Sequence, residues 1–223
     1  FPVNCYLVRE DDSLTLVDAG LAGSAEAILE AARELGLPIR RIVLTHAHGD
    51  HIGSLDALQQ LLPAAEILVS ARDARFLAGD MRLDPGEPQA KLRGWYQIIT
   101  TRPARLLSDG DRLGSLQVVS APGHTPGHIA LFDTRDGSLI AGDAFQTRAG
   151  VAVAGTLRPL FPFPALATWH RPTALASAQR LRELLPARLA VGHGEVLERP
   201  LAGIDRAIAV AARAVGEVQP HGA

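Results

Sequence analysis

Thr45-His46-Ala47-His48-Gly49-Asp50-His51 is the stretch whose reading decides this chain. Three histidines and one aspartate fall within the six residues from His46 to His51, directly behind the apolar, β-prone run Arg41-Ile42-Val43-Leu44-Thr45. Imidazole nitrogen and carboxylate oxygen are the donors that suit zinc, iron and manganese alike. If the strand runs straight into His46, then His46 and His48 stand two residues apart and can point to one side. Gly49 permits a tight backbone bend, and Asp50 and His51 follow it. Such spacing lets one short segment serve two cations about 3.5–4 Å apart. A lone loop histidine is ordinarily a surface residue, but that reading does not account for so dense a cluster behind a buried strand.

Two cations need more donors than this segment holds. Further candidates stand where other β-prone runs end. His124 and His128 lie in Gly123-His124-Thr125-Pro126-Gly127-His128 after the run Leu116 to Ser120. Asp143 follows Gly142 after Ser138-Leu139-Ile140-Ala141, and His193 sits in Gly192-His193-Gly194 after Arg188-Leu189-Ala190-Val191.

The surrounding pattern repeats. Asn4 to Val8 and Leu14 to Val17 read as a hairpin about the turn Glu10-Asp11-Asp12-Ser13, which ends at Asp18. Ser24 offers a cap to a helix through Leu35, with Ala27, Ile28, Ala31 and Leu35 at helical spacing and Gly36 as its stop. A further helix begins near Ser54 and stops at Pro63, followed by the strand Ile67 to Val69. In the second part, Ile129 to Phe132 and Ser138 to Ala141 form a hairpin about Thr134 to Gly137 that ends at Asp143. Thr173 offers a cap to a helix through Leu185, and Arg188 to Val191 then leads into His193. Hairpin, aspartate, helix, strand and histidine thus occur twice in the same order. This predicts a single domain over 1–223 made of two similar halves, roughly 1–115 and 116–223. Two mixed sheets would pack face to face with helices outside, a four-layer αββα sandwich of the α/β class.

The bulk numbers narrow the function classes. The chain has 223 residues, 47% hydrophobic and 21% charged, enough apolar material for a core and no signature of disorder. A net charge of −2 gives no sign of nucleic-acid or membrane-surface binding. Lys91 is the sole lysine and Cys5 the sole cysteine. One cysteine forms no intramolecular disulfide, which suits a reducing cytoplasm. The chain begins at Phe1 rather than Met, so a removed signal peptide stays open. No apolar run is long enough to span a membrane.

On these motifs the chain resembles the metallo-β-lactamase superfamily. The resemblance rests on Thr45-His46-x-His48-x-Asp50-His51, which is highly specific, and on Asp18, His124, Asp143 and His193 in their order and context. It implies that His46, His48 and His124 bind one metal. It implies that Asp50, His51 and His193 bind the other, with Asp143 bridging both. Asp18 would orient a loop or a ligand histidine by hydrogen bonding. His128 stands outside the implied ligand set, His170 is a candidate pocket residue or a helix-start residue, and His221 lies in a polar tail.

The expected chemistry follows. Two divalent cations, zinc first with iron or manganese fitting the same donors, bring a shared water to hydroxide at neutral pH, and the hydroxide attacks a carbonyl. Asp50 is the expected catalytic residue, taking the nucleophile's proton as well as binding metal. The expected substrate is a small molecule with an ester, thioester, lactone or β-lactam bond. Most of the aromatic residues fall in Arg72 to Thr101 and Ala144 to Arg171, segments read as loops that choose the substrate. Glyoxalase II is a named alternative that the motif suits, but no tyrosine follows Tyr96 to supply the glutathione contact that enzyme uses. The alternative is a mononuclear iron dioxygenase acting on a persulfide-type substrate through His46, His124 and Asp143. A homodimer is left open.

Overall fold

The computed structural model describes residues 2–217, with the side chain of Glu217 outside the description. Phe1 and His221 therefore lie outside the described residues.

Two sheets carry the fold. The first contains β1 (Tyr6–Arg9), β2 (Leu14–Val17), β3 (Ile39–Val43), β4 (Glu66–Ser70) and β5 (Arg105–Leu107), paired in that order. β1 is antiparallel to β2, and β2 through β5 run parallel. The second contains β6 (Arg112–Leu113), β7 (Leu116–Ser120), β8 (Ile129–Asp133) and β9 (Ser138–Ile140). After a two-stranded ribbon of β10 (Phe145–Gln146) and β11 (Ala152–Val153), it is completed by β12 (Arg188–Ala190) and β13 (Leu197–Glu198). Its order is β13-β12-β9-β8-β7-β6, with β12 parallel to β9 and every other pair antiparallel. The antiparallel-then-parallel triplet β1-β2-β3 reappears as β8-β9-β12.

Three hydrophobic cores show the layers. Side chains alternate along a strand with period two, and here both faces are buried, so the strands read as continuous apolar runs. In the first sheet Leu14, Leu16, Ile42, Ile67 and Val69 pack outward against Ile28 and Ala32 of α1 (Ala25–Leu35). Val17, Val43 and Leu68 turn inward, where they meet Val118, Leu131, Ile140 and Ala190 of the second sheet. From that sheet Ala130, Leu139 and Leu189 face outward again. They pack on Ala178 and Leu181 of α6 (Arg171–Glu183) and Ile204 and Ala207 of α7 (Leu201–Glu217). Three apolar layers separate four structural ones, which is the αββα sandwich.

The remaining helices are α2 (Gly49–Ile52), α3 (Leu55–Leu61), α4 (Ala71–Leu77), α5 (Phe163–Leu166), α6 (Arg171–Glu183) and α7 (Leu201–Glu217). Three expectations change here. Residues 49–52 are a helical turn, so Asp50 and His51 project from α2 rather than from an open loop. The cap of α6 is His170, not Thr173: its ring accepts from the Thr173 amide at 3.4 Å, a position the sequence pattern could not rank above a threonine three residues later. Arg72 to Leu77 belong to α4, so that stretch is not loop, and Phe76 is buried in the outer core.

The topology explains where polar residues collect. β2, β3 and β4 run parallel, so their C-terminal ends lie on one edge of the first sheet. β7, β9 and β12 likewise share one direction in the second. Asp18, Thr45, Asp73, His124, Asp143 and His193 each follow the C-terminal end of one of these six strands.

Candidate metal centre

Those strand ends converge on one cluster, and all seven expected ligands are in it. One ligand atom from each of His46, His48 and His124 lies within 4.8 Å of the others, and the same holds for His46, His51 and Asp143 and for Asp50, His51 and His193. His48 Nδ1 and His124 Nε2 are 3.0 Å apart. Asp143 places Oδ1 3.4 Å from His51 Nε2 and Oδ2 3.3 Å from both His124 Nε2 and His193 Nε2, so it stands between the two groups. His193 Nε2 also lies 3.3 Å from Asp50 Oδ2.

The far side of each ring is held. Asp18 accepts hydrogen bonds from His51 Nδ1 (2.8 Å), the Thr45 amide (2.7 Å) and the Thr45 hydroxyl (2.8 Å). That fixes the His51 proton on Nδ1 and turns Nε2 into the cluster. His48 Nε2 donates to the Arg93 carbonyl at 3.0 Å, His124 Nδ1 pairs with the Thr168 hydroxyl at 3.1 Å, and His193 Nδ1 donates to the Pro2 carbonyl at 2.8 Å. His128 does something else: its Nε2 accepts from the Asp143 amide at 3.0 Å, so it steadies the backbone of a cluster residue. His170 is occupied at the start of α6 and lines a neighbouring cavity.

Charge is divided unevenly. Burial, with the neighbouring histidines, pushes His46 well below its ordinary value. Burial likewise pushes His124 well below and His48 down to about 4. Burial also opposes the charged form of His51, but Asp18 and Asp143 outweigh it and hold that pKa well above the ordinary one. His193 follows the same balance, with Asp143 and Asp50 raising it to about 10. Asp143, although buried, is held well below the usual carboxylate range by His193 and His51. One group is thus neutral imidazole, ready to donate lone pairs, and the other keeps protons between carboxylates.

The donor set fits a metal. His46 Nε2, His51 Nε2 and Asp143 Oδ1 are buried without a hydrogen-bond partner. Buried polar atoms are normally satisfied, and three without a hydrogen-bond partner within one donor group, His46, His51 and Asp143, mark a place for a cation.

Asp73 went unnoticed in the sequence. It is fully buried and accepts from the Ala47 amide (2.9 Å), the Thr125 hydroxyl (2.7 Å) and the Gly127 amide (2.7 Å). It thereby ties the His46–His51 segment to the His124–His128 loop. Burial raises its carboxyl to about 6 against those three donors. The pattern strand-Ser70-x-x-Asp73 was its only signal. Gly94 was equally silent: at φ 88° it passes so close to His48 that a Cβ would strike the imidazole ring.

A cavity of about 450 Å³ opens onto the cluster, reaching His48, Asp50, His124, Asp143 and His193, with Leu21, Trp95, Phe163 and Leu166 as apolar walls. Of the aromatics expected over the site, Trp95 and Phe163 are there. Phe161 stands 5.4 Å from the His193 ring, Tyr96 packs on His48, and Phe145 belongs to the core beneath.

A four-layer sandwich with a histidine and aspartate cluster at its strand ends defines a metal-binding protein of the hydrolase type. The chain belongs to the metallo-beta-lactamase superfamily, whose family model matches residues 1–193. It is 50% identical over 209 residues to the protein YobT of Bacillus subtilis, covering 93% of this chain and 90% of that one. It is 31% identical to the probable metallo-hydrolase YflN of the same organism, covering 86% and 80%. A hydroxyacylglutathione hydrolase of Xanthomonas euvesicatoria is 35% identical, and the match covers 70% of this chain but 51% of that enzyme. Among solved structures, TTHA1623 in a di-iron-bound form superposes with a TM-score of 0.64 at 28% identity, covering 89% of this chain and 91% of that one. Among the described residues no helix is long and apolar enough to cross a membrane.

Proposed function

We propose that this chain is a binuclear metallohydrolase acting on a small ester, thioester, lactone or β-lactam. The observation that carries the reading is the pair of donor groups joined by Asp143, with His46 Nε2, His51 Nε2 and Asp143 Oδ1 buried and unsatisfied. His46, His48 and His124 would hold one cation, Asp50, His51 and His193 the other, and Asp143 both. Zinc is the first choice; iron and manganese fit the same donors. When bound, the cations supply Lewis acidity that makes water acidic near neutral pH and favours charge on a carbonyl oxygen.

The chain's own residues do the rest. Asp50 is the one cluster residue whose side chain is appreciably exposed, at 19%. Its carboxyl is held low by His193 and His51 despite burial, so it is ionised and positioned to take a proton from the nucleophile. Leu21, Trp95 and Phe163 give the acyl group an apolar bed and exclude water. Burial raises the Cys5 thiol to about 12, which argues against thiolate catalysis. A single cysteine suits a cytoplasmic location. A dioxygenase using only His46, His124 and Asp143 would leave Asp50, His51 and His193 without a task.

The test is metal analysis of protein purified without added metal, followed by a panel of ester, thioester, lactone and β-lactam substrates. Two metals per chain, with hydrolysis lost on chelation and restored by metal, is expected. D50A or D143A should abolish turnover and reduce bound metal. Activity surviving complete metal removal, or one iron per chain with oxygen uptake, would overturn the reading.

A further inference from the structure

The cavity of about 450 Å³ over the cluster divides its chemistry sharply. Every ionisable side chain in its lining is itself a cluster residue. The rest of the wall is Leu21, Trp95, Phe163, Pro164, Leu166 and Ala167, with the backbone of Gly94. No lysine or arginine lines it among the described residues, and Phe1 and residues 218–223, which stand outside the description, include neither. The Trp95 indole N–H is a neutral donor and does not offset a full charge. An anionic group placed away from the cluster therefore meets no cation, and an unpaired carboxylate held against an apolar wall is costly.

The apolar wall is also left open. Trp95 is 58% exposed, Phe163 52% and Leu166 55%, and apolar surface gathered beside a polar site marks a place for a ligand. The wall comes from two segments, and both are tied to the cluster. The Trp95 carbonyl accepts from the Gly49 amide at 2.7 Å, and its ring lies so near that a Cβ on Gly49 would stand 2.6 Å from Cε3. Two residues earlier, the Arg93 carbonyl accepts from His48. Phe163 and Leu166 belong to α5. The Thr168 hydroxyl just beyond α5 donates to the Pro164 carbonyl at 2.7 Å and accepts from His124 Nδ1. The distance from apolar wall to reacting centre is thus set by the cluster's own hydrogen bonds, and a wall fixed in that way discriminates by shape and chain length.

We propose that this cavity selects acyl substrates that carry no charge beyond the reacting carbonyl. The substrate class is then an ester, thioester or lactone of an aliphatic monoacid, and Phe163 and Leu166, with Trp95, are specificity residues. Turnover of that class rests on the hydrolase reading; binding of an apolar tail behind a carboxylate head at the cluster does not.

Two measurements keep the failures apart. The first is calorimetric titration of the metal-loaded protein with butanoate, hexanoate and octanoate, the acids such substrates release, and with adipate and suberate. Monocarboxylate affinity is expected to rise roughly two- to four-fold per methylene, the upper figure being that of a fully buried one. Adipate and suberate are expected to bind at least about ten-fold more weakly than hexanoate and octanoate, because the far carboxylate finds no partner. F163A/L166A is expected to flatten the chain-length series, with thermal melting as the check on folding. Trp95 is left in place because its segment holds His48. L166K, which supplies a cation, is expected to narrow the gap between suberate and octanoate. The second measurement is hydrolysis of the ethyl esters of the same three monoacids against monoethyl adipate and monoethyl suberate. The same order is expected in kcat/KM, carried chiefly by KM. A flat series in wild type overturns the proposal, and so do dicarboxylates that bind as tightly as monocarboxylates. A chain-length dependence that survives F163A/L166A in folded protein also overturns it, because the tail then lies elsewhere. If no ester is turned over while the titrations run as expected, the hydrolase reading fails and the selection by the cavity stands.

Discussion

Gly192 stands between β12 and His193, and G192A tests how tightly the cluster is built. A Cβ there would collide with Asp143 Oδ1 and lie 2.6 Å from His51 Cε1 and 3.2 Å from His51 Nε2. His51 has no room to retreat, and Asp143 can move only into the cavity it lines. Asp143 is 3% exposed and sits among three histidines, and His51 is fully buried with Nδ1 bonded to Asp18. Backbone strain plays no part, because Gly192 is not among the glycines with positive φ. Alanine lowers unfolded-chain entropy, worth about 0.4–1 kcal/mol in favour of folding. Overpacking of about 1–3 kcal/mol acts against it. The net loss is about 1–2 kcal/mol, or a fall in Tm of roughly 2–8 °C for a chain of this size. Metal binding suffers more, since the displaced carboxylate is the one shared by both donor groups. A loss of roughly 10- to 100-fold in metal affinity is expected, comparable to removing a supporting contact of a ligand. Metal content after dialysis against a competing chelator, thermal melting and ester turnover read the effect. G216A is the control. Its Cβ would meet open space in α7, so it gains up to about 1 kcal/mol in stability with metal content unchanged. G192A protein with wild-type metal content and turnover would refute the placement of Asp143.

D18N keeps the backbone, since asparagine tolerates the left-handed conformation at φ 63°, but it forfeits an acceptor facing His51 or Thr45. Metal affinity is expected to fall roughly 10- to 100-fold with a small change in Tm, measured by chelator competition; unchanged affinity would remove Asp18 from the orienting role. D73N leaves at least one of three buried donors unsatisfied, costing about 1–3 kcal/mol. Because burial raises the Asp73 carboxyl from 3.8 to about 6, the stability tied to that group is full below 3.8 and lost as pH rises through 6. The deficit of metal-free D73N should therefore narrow as pH rises from 3.8 to about 6 and hold level above it, and a deficit that widens across that range would contradict the assignment. In metal-free protein His193 is raised from 6.5 to about 10, so its stabilising contribution is full below 6.5 and lost as pH rises through 10. Chelated protein should lose Tm between pH 7 and 10 while the metal-loaded form does not. Adding zinc at pH 7 should displace protons from His51 and His193, on the order of two per chain by indicator dye; no proton release would oppose binding at those residues.

The fold was legible because both faces of each sheet are buried. Leu14 to Val17, Arg41 to Val43 and Ile67 to Val69 are short apolar runs bounded by turns, and runs of that kind declare strands even without alternation. Boundaries were less so. The strand expected to reach Thr45 ends at Val43, because Thr45 turns its amide and hydroxyl to Asp18 rather than to a neighbouring strand. The extra turn α2 escaped notice for a related reason. A glycine, an aspartate and a histidine carry little helical propensity, and the turn forms where backbone contacts hold it, with the Gly49 amide donating to Trp95 and the Ala19 amide to the His51 carbonyl.

The donors were legible and, apart from Asp18, which the family resemblance supplied, their supports were not, and the difference is one of sequence distance. Histidines at i, i+2 and i+5 announce themselves within a single turn of chain. What aims them lies far off: Asp18 is 33 residues from His51, Thr168 is 44 from His124, and Pro2 is 191 from His193. The last is the most telling. The chain's first residues lie along the loop that carries His193, where the Asn4 side chain donates to the Val191 and Gly194 carbonyls and the Tyr6 hydroxyl bonds both the amide and the carbonyl of Val191. β1 belongs to the first sheet and β12 to the second, so these contacts form only once the two sheets have docked. The same holds for Asp143, which reaches His51 from across the interface. Assembly of the cluster and packing of Val17, Val43 and Leu68 against Leu131 and Ile140 are therefore one event. A cation that binds only the completed cluster must then stabilise the sandwich itself, and a mutation that loosens the interface between sheets must weaken metal binding without touching a ligand.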